Sequence, residues 1–161
     1  MTTSKSSAPV RVTLSAAGPG TDAHTVHWSV ENIGDTPVHV LHNKRMPYVL
    51  RRDSSLLLLH GVHPPDPDKD YNIIEIPTTV ELASKARLEG DVALVPLALR
   101  DHYGEAQPGA PLTGKVEVRF AVGWGETPIL EGERHRYSIQ ALLDWQTVTE
   151  SEPLVVTLPA P

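Results

Sequence analysis

The stretch Val116-Glu-Val-Arg-Phe-Ala-Val-Gly-Trp124 decides the fold class. Val116, Val118, Phe120, Val122 and Trp124 are apolar, and Glu117, Arg119, Ala121 and Gly123 stand between them. Side chains of a strand alternate between its two faces, so this period of two predicts a strand with one face in a core and the other toward water. The same parity recurs in Val10, Val12 and Leu14, in Val26, Trp28 and Val30 against His27, Ser29 and Glu31, and in Leu154, Val156 and Leu158. Four consecutive leucines, Leu56 to Leu59, fit instead a central strand covered on both faces. Ile73, Ile74, Ile76 and Val80 predict one more strand and Val92 to Leu99 another. Pro77 and Pro96 mark bends or edges there, because proline cannot donate to a ladder.

Turn chemistry punctuates these runs: Asn32-Ile-Gly-Asp35, Pro64-Pro-Asp-Pro-Asp68 and the Pro/Gly-rich stretch from Gly104 to Gly114,. Fifteen prolines among 161 residues is about twice the ordinary usage of roughly 5%, and proline is expelled from helix interiors. The expected fold is therefore all-β: an antiparallel two-sheet sandwich of about eight strands with at most one short helix. Residues 1–8 read as a flexible tail and 9–161 as one sandwich domain. The segment Ile139 to Gln146 satisfies both periods, through Ile139, Leu142 and Leu143 for a helix and through Tyr137, Ile139, Ala141 and Leu143 for a strand,.

Composition excludes several classes of function. The chain has no cysteine, which removes disulfides, iron–sulfur clusters, thiol catalysis and Cys-based zinc sites. Fourteen basic against twenty acidic side chains give a net charge of −6, the wrong sign for a phosphate backbone, so no nucleic-acid partner is expected. No run approaches the roughly 18 apolar residues of a membrane helix, and Met1 to Val10 carries a lysine without the apolar stretch of a signal peptide,. The expectation is a cytoplasmic protein with no membrane partner.

The segment Val26-His-Trp-Ser-Val-Glu-Asn-Ile-Gly-Asp-Thr-Pro-Val38 resembles the V-x-N-x-G-D-x-P-V hairpin of bacterial immunoglobulin-like sandwiches. With Gly114-Lys-Val-Glu-Val-Arg-Phe120 it is similar in layout to the N-terminal sandwich domain that precedes the catalytic domain of deuterolysin-type zinc peptidases. The resemblance implies a fold and, at most, an accessory or inhibitory role toward a peptidase. The His-Glu-x-x-His motif of those enzymes does not occur in the chain, so no catalytic residue carries over.

Six of the eight histidines form three His-x-x-His pairs: His24/His27, His39/His42 and His60/His63. On a strand, residues i and i+3 face opposite sides, so such a pair grips one metal ion only in a turn or helix. His60-Gly-Val-His63, running into Pro64-Pro65, is the pair a turn would bring together. Asp66, Asp68 and Asp70 have the alternation of a calcium loop, but Tyr71 stands at its sixth place and Pro77 at its twelfth, where glycine and glutamate belong. Gly109-Ala-Pro-Leu-Thr-Gly-Lys115 matches a phosphate loop in spacing, yet Val116 replaces the Ser or Thr, and a strand is expected to follow instead of a helix,. No Gly-x-Ser-x-Gly elbow occurs, and Asp101-His102-Tyr103 could form a small acid/base group at the end of a strand,.

Charge placement points further. Lys44, Arg45, Arg51 and Arg52 fall within nine residues that contain no acid, interleaved with Met46, Pro47, Tyr48 and Val49. A basic segment with an aromatic centre has the composition enriched at protein interfaces; the alternative is a solvated hairpin end whose arginines pair with Asp53, Asp66 or Glu75. The expectation is a non-catalytic, cofactor-free module that binds a protein or peptide through Lys44, Arg45, Tyr48, Arg51 and Arg52. Histidine-based Zn or Cu binding or delivery is the first alternative, and a small β-fold enzyme acting near His102 and Tyr103 the second.

Overall fold

The computed structural model describes residues 9–16, 25–42, 47–52, 55–64, 76–94 and 114–158, with the backbone alone at 51, 52 and 134. It is mostly β, in two sheets. The smaller holds β1 (Val10–Ala16), β2 (Thr25–Asn32) and β7 (Arg87–Ala93) in the order β1-β2-β7. The larger, a curled half-barrel, holds β3 (Val38–Leu41), β4 (Tyr48–Arg52), β5 (Ser55–His60), β6 (Thr79–Leu82), β8 (Gly114–Gly125), β9 (Thr147–Glu150) and β10 (Leu154–Leu158). A 3-10 helix, Glu131–Arg136, precedes the α-helix α1, Ile139–Trp145. Ten strand segments are thus seen among the described residues. The segments expected as a tail at 1–8 and as a loop at 104–113 lie outside them.

β8 is the spine of the larger sheet. Glu117 pairs with Ser55 of β5 and Val155 of β10, and Trp124 pairs with Val40 of β3 and Thr147 of β9. One flank of β8 therefore carries β5 and then β3; the other carries β10 and then β9. Along the second flank the register slips by one residue between Leu154↔Val118 and Glu150↔Ala121, so β9 and β10 are one strand interrupted by a bulge. Ser151 fills that bulge: it is buried, its N–H donates to Phe120 O at 2.7 Å, and its Oγ accepts from Phe120 N at 3.0 Å. A buried N–H that the slipped ladder would orphan is satisfied in this way.

The main core lies between the sheets and includes Val12, Val26, Trp28 and Val30 from one and Val40, Leu56, Leu58, Val118, Phe120 and Val156 from the other. These are the parities expected from the sequence. The outer face of the smaller sheet is wet, lined by Arg11, Glu31 and Arg87, with Glu31 Oε1 3.6 Å and 3.8 Å from the two guanidinium groups. The outer face of the larger sheet is covered instead. Leu57, Leu59 and Ala121 form one cluster on it, and Leu41, Val62, Ile129, Ile139 and Leu142 another. Consequently β8 is half-buried only over its first half; from Phe120 to Gly125 both of its faces are closed.

Several expectations are corrected. The ambiguous 139–146 segment is helical because Ser138 caps it, its Oγ accepting from Ala141 N at 3.1 Å, while Leu142 and Ile139 face the covered side of the sheet,. The Asn32–Asp35 turn is not a hairpin: β2 and β3 belong to different sheets, so the segment is an arch between them. Among the described residues one of the eight pairings, β5 with β8, is parallel. Ile76 precedes β6 without joining it, 73 and 74 lie outside the described residues, and β7 begins at Arg87 instead of Val92. β7 is hidden in the sequence because Gly90 occupies an inward position where an apolar side chain would announce a strand.

The reason for that glycine is Trp28, whose indole lies against it. A Cβ at residue 90 would sit 2.6 Å from Trp28 Cζ2, well inside van der Waals contact. Overpacking of this kind costs about 1 to 3 kcal/mol. Gly90→Ala should therefore lower the denaturant midpoint without changing the slope of the unfolding curve, and Trp28→Phe should recover part of the loss. An alanine variant as stable as the parent would contradict this position of the indole.

Candidate functional site

His60 is the inward-facing residue that follows Leu56 and Leu58 on β5, and His42 occupies the next inward position after Val38 and Val40 of β3. β5 runs parallel to β8 as far as His60↔Val122, while β3 runs antiparallel through His39↔Gly125 and Val40↔Trp124. The C-terminal ends of β3 and β5 therefore meet head to head on the same flank of β8. Their two imidazoles stack at this seam, with ring centroids 4.9 Å apart and planes 9° from parallel. Trp28 reaches across from β2 to lie 4.8 Å from His60 and flat on Phe120, at 4.7 Å and 6°. His60 and Phe120 are 5.3 Å apart. Four rings, three on strands β2, β5 and β8 and one just past the end of β3, thus form one layer between the two sheets.

Electrostatically this layer is apolar. His60 is 2% exposed, and neither of its ring nitrogens has a hydrogen-bond partner among the described residues. Burial, reinforced by the neighbouring His42, pushes its pKa down from 6.5 to about 3, and burial also lowers that of half-buried His42. Both imidazoles are neutral at physiological pH and pack as aromatic rings.

The other face of the seam is closed by Gln146, the residue after α1. Its Nε2 donates to Val62 O at 2.6 Å and its Oε1 accepts from Val62 N at 3.1 Å, so a side-chain amide supplies what a strand would have supplied beyond the end of β5. Gly123 makes room for it, since a Cβ there would collide with Gln146 Oε1. Asn32 does similar work in the arch. Fully buried, it donates from Nδ2 to Thr36 O at 2.8 Å and Leu82 O at 2.9 Å, and accepts from Gly34 N at 2.9 Å. Nothing in the sequence pattern singles out Gln146; the asparagine is legible as turn chemistry, though not as a tie to β6.

The His-x-x-His pairs do not close on themselves. His60 turns inward while His63 is partly exposed, its Nδ1–H donating to Pro64 O at 3.1 Å. His39 and His42 likewise take opposite faces. The convergence runs between pairs, and it was available from parity: if i and i+3 face apart, one histidine of each pair must face inward. Among the described residues no group of three His, Asp or Glu is arranged to hold a metal ion. His24, the acidic turn at Asp66–Asp70 and the Asp101-His102-Tyr103 group lie outside the described residues.

Of the basic segment, Lys44 and Arg45 also lie outside them, and Arg51 and Arg52 are seen as backbone at the end of β4, paired with Leu56 and Ser55. Tyr48 is described, and it is 2% exposed, paired in register with Leu59. A tyrosine packed inside the fold offers no ring to a partner, which removes the aromatic centre expected of this surface. The phosphate-loop spacing ends in a strand, β8 beginning at Gly114, so no helix N-terminus stands behind it.

On the wet face of the smaller sheet, His27 lies between two carboxylates of β7. Its Nδ1 is 2.8 Å from Asp91 Oδ1 and its Nε2 2.9 Å from Glu89 Oε1. Both nitrogens can donate only in the imidazolium, and these bonds, that to Asp91 first, raise the pKa of His27. No family model, no curated protein and no solved structure matches the chain.

The His27 cluster generates a pH prediction with a definite sign. A raised folded-state pKa contributes stability while the group is protonated, and that contribution is lost as pH rises through the folded value. The histidine is exposed, so the effect on stability is small. A proton NMR titration of His27 should place its midpoint above 6.5, and Glu89→Gln with Asp91→Asn should return it to the ordinary range. A midpoint at or below 6.5 in the parent protein would refute the paired geometry.

Proposed function

We propose that the chain is a non-catalytic binding module, an immunoglobulin-like sandwich whose basic segment, Lys44 to Arg52, recruits an acidic protein or peptide. The observation that supports the reading is the position of β4: among the described residues it is the terminal strand of the larger sheet and pairs with β5, with the backbone of Arg51 and Arg52 at its end. On a chain of net charge −6, a local positive island steers an acidic partner by field and supplies bidentate donors on contact. Because Tyr48 is buried, affinity on this reading rests on Lys44, Arg45, Arg51 and Arg52 and not on an aromatic anchor. A cytoplasmic setting, and an accessory or inhibitory role toward a peptidase, are the versions that the sequence and the resemblance to deuterolysin-type domains suggest. No described helix is long and apolar enough to cross a membrane.

Histidine-based metal binding retains one supporting observation, the meeting of His42 and His60. Two imidazoles fall short of the three or four protein ligands that zinc takes, and their stacked planes direct the in-plane lone pairs along separate planes. His102 and Tyr103, on which the enzyme alternative rests, lie outside the described residues.

A fluorescent glutamate-rich peptide tests the binding reading. Arg51→Glu with Arg52→Glu should weaken its capture tenfold or more at low ionic strength, with the gap closing at high salt, where the screening length shrinks to a few ångströms. The melting temperature should change little, since exposed charges contribute only about tenths of a kcal/mol. Equal capture by parent and variant at low salt would eliminate this surface.

A further inference from the structure

The layer formed by Trp28, Phe120, His42 and His60 places two titratable rings where the sandwich has least tolerance for charge. His60 is 2% exposed with both nitrogens unpartnered among the described residues. The groups that face it are Trp28 from β2, Phe120 from β8 and His42 from the end of β3; Leu58 precedes it on the inward face of β5, and Val122 is its register partner on β8. None of these except His42 titrates. His27, on the same strand as Trp28, is directed to the opposite face, where it is bound by Asp91 and Glu89. No carboxylate among the described residues is hydrogen-bonded to either stacked imidazole. A proton arriving here finds no hydrogen-bonded counter-charge among the described residues, and an unpaired buried ion is among the costliest groups a core can hold.

The place of the pair in the topology matters as much as its burial. β3 and β5 both stop at the seam, and neither continues the other's ladder, so backbone pairing along this flank of β8 is interrupted where the imidazoles sit. Beyond His60 the side-chain amide of Gln146 is hydrogen-bonded to both backbone groups of Val62. The centre of the sandwich, by contrast, is secured by continuous ladders on β2 and on the first half of β8.

We propose that the stacked pair His42–His60 is an acid-operated latch, which closes the seam between β3 and β5 when neutral and releases that end of the core when protonated, leaving the central ladders paired. His42, half-buried, takes the first proton; its cation rests on the ring of His60, and charge over an aromatic face is tolerated. The second proton, on His60, has no such accommodation and is accepted only when the seam opens. The inference does not depend on the β4 reading.

The sign follows from linkage. His60 resists protonation in the closed state far below its ordinary value, whereas in an open state it titrates near 6.5. Between those limits the open state binds more protons, so the closed state is lost as pH falls. One proton changes the open-to-closed ratio tenfold per pH unit, about 100-fold over two units.

The test is hydrogen exchange of the full chain at pH 7 and pH 4.5, normalised for intrinsic rates, together with NMR titration of the His60 ring. The expected result is loss of protection confined to 40–42 and 58–62, with Val116 to Phe120 still protected, and titration of His60 with the same midpoint. His60→Phe, which keeps an aromatic ring but cannot titrate, should abolish the acid response; if that variant does not fold, coincidence of the His60 midpoint with the onset of local exchange decides. The latch is overturned if protection at 58–62 is unchanged at pH 4.5, if protection is lost uniformly, if His60→Phe opens like the parent, or if His60 titrates apart from the opening.

Discussion

Trp28 lying flat on Phe120 is the contact on which the rest of this structure depends. The two rings belong to the central strand of the smaller sheet and to the spine of the larger, and their stacking at 4.7 Å spans the space between the sheets. An aromatic pair of this kind contributes about 0.5 to 1.5 kcal/mol beyond the area it buries. Its consequences extend outward: Gly90 must lack a side chain to admit the indole, and His60 and His42 fill the remaining width of the layer as neutral rings.

The larger sheet is built around one constraint, that β8 is longer than any strand beside it. Two strands are needed on each flank, and every junction between them exposes backbone groups that the interior cannot leave unpaired. Two solutions appear. On one flank the chain stays continuous and inserts a bulge, with Ser151 covering the Phe120 amide. On the other two independent strands abut, with Gln146 serving the Val62 backbone on the covered face and a histidine stack filling the inner face. The first junction is made of hydrogen bonds and changes little with pH; the second contains titratable rings.

How far the sequence revealed this follows from which residues face the core with an apolar side chain. β1, β2, β8 and β10 were legible because their inward positions are Val, Leu, Trp or Phe, and β5 because Leu56 to Leu59 serve two cores at once. β7 was not, since Trp28 supplies from the neighbouring strand the bulk that Gly90 omits, and periodicity is read one strand at a time. The parallel pairing of β5 and the arch after Asn32 are products of long-range topology, to which local turn chemistry is blind. At the candidate site, the sequence spacing pairs His42 with His39 and His60 with His63. Face parity relates residues along one strand, whereas the meeting of His42 with His60 depends on two strands ending at one point. Tyr48 is a second case: its basic neighbours suggest exposure, whereas the structure buries it in register with Leu59.

The account turns on the claim that the two sheets are coupled through the Trp28–Phe120 stack and not merely through bulk hydrophobic area. A double-mutant cycle on equilibrium unfolding, with Trp28→Leu, Phe120→Leu and the pair together, measures that coupling directly. The predicted result is a favourable interaction energy of about 0.5 to 1.5 kcal/mol, lost with either ring. Additivity of the two substitutions within about 0.3 kcal/mol would contradict it.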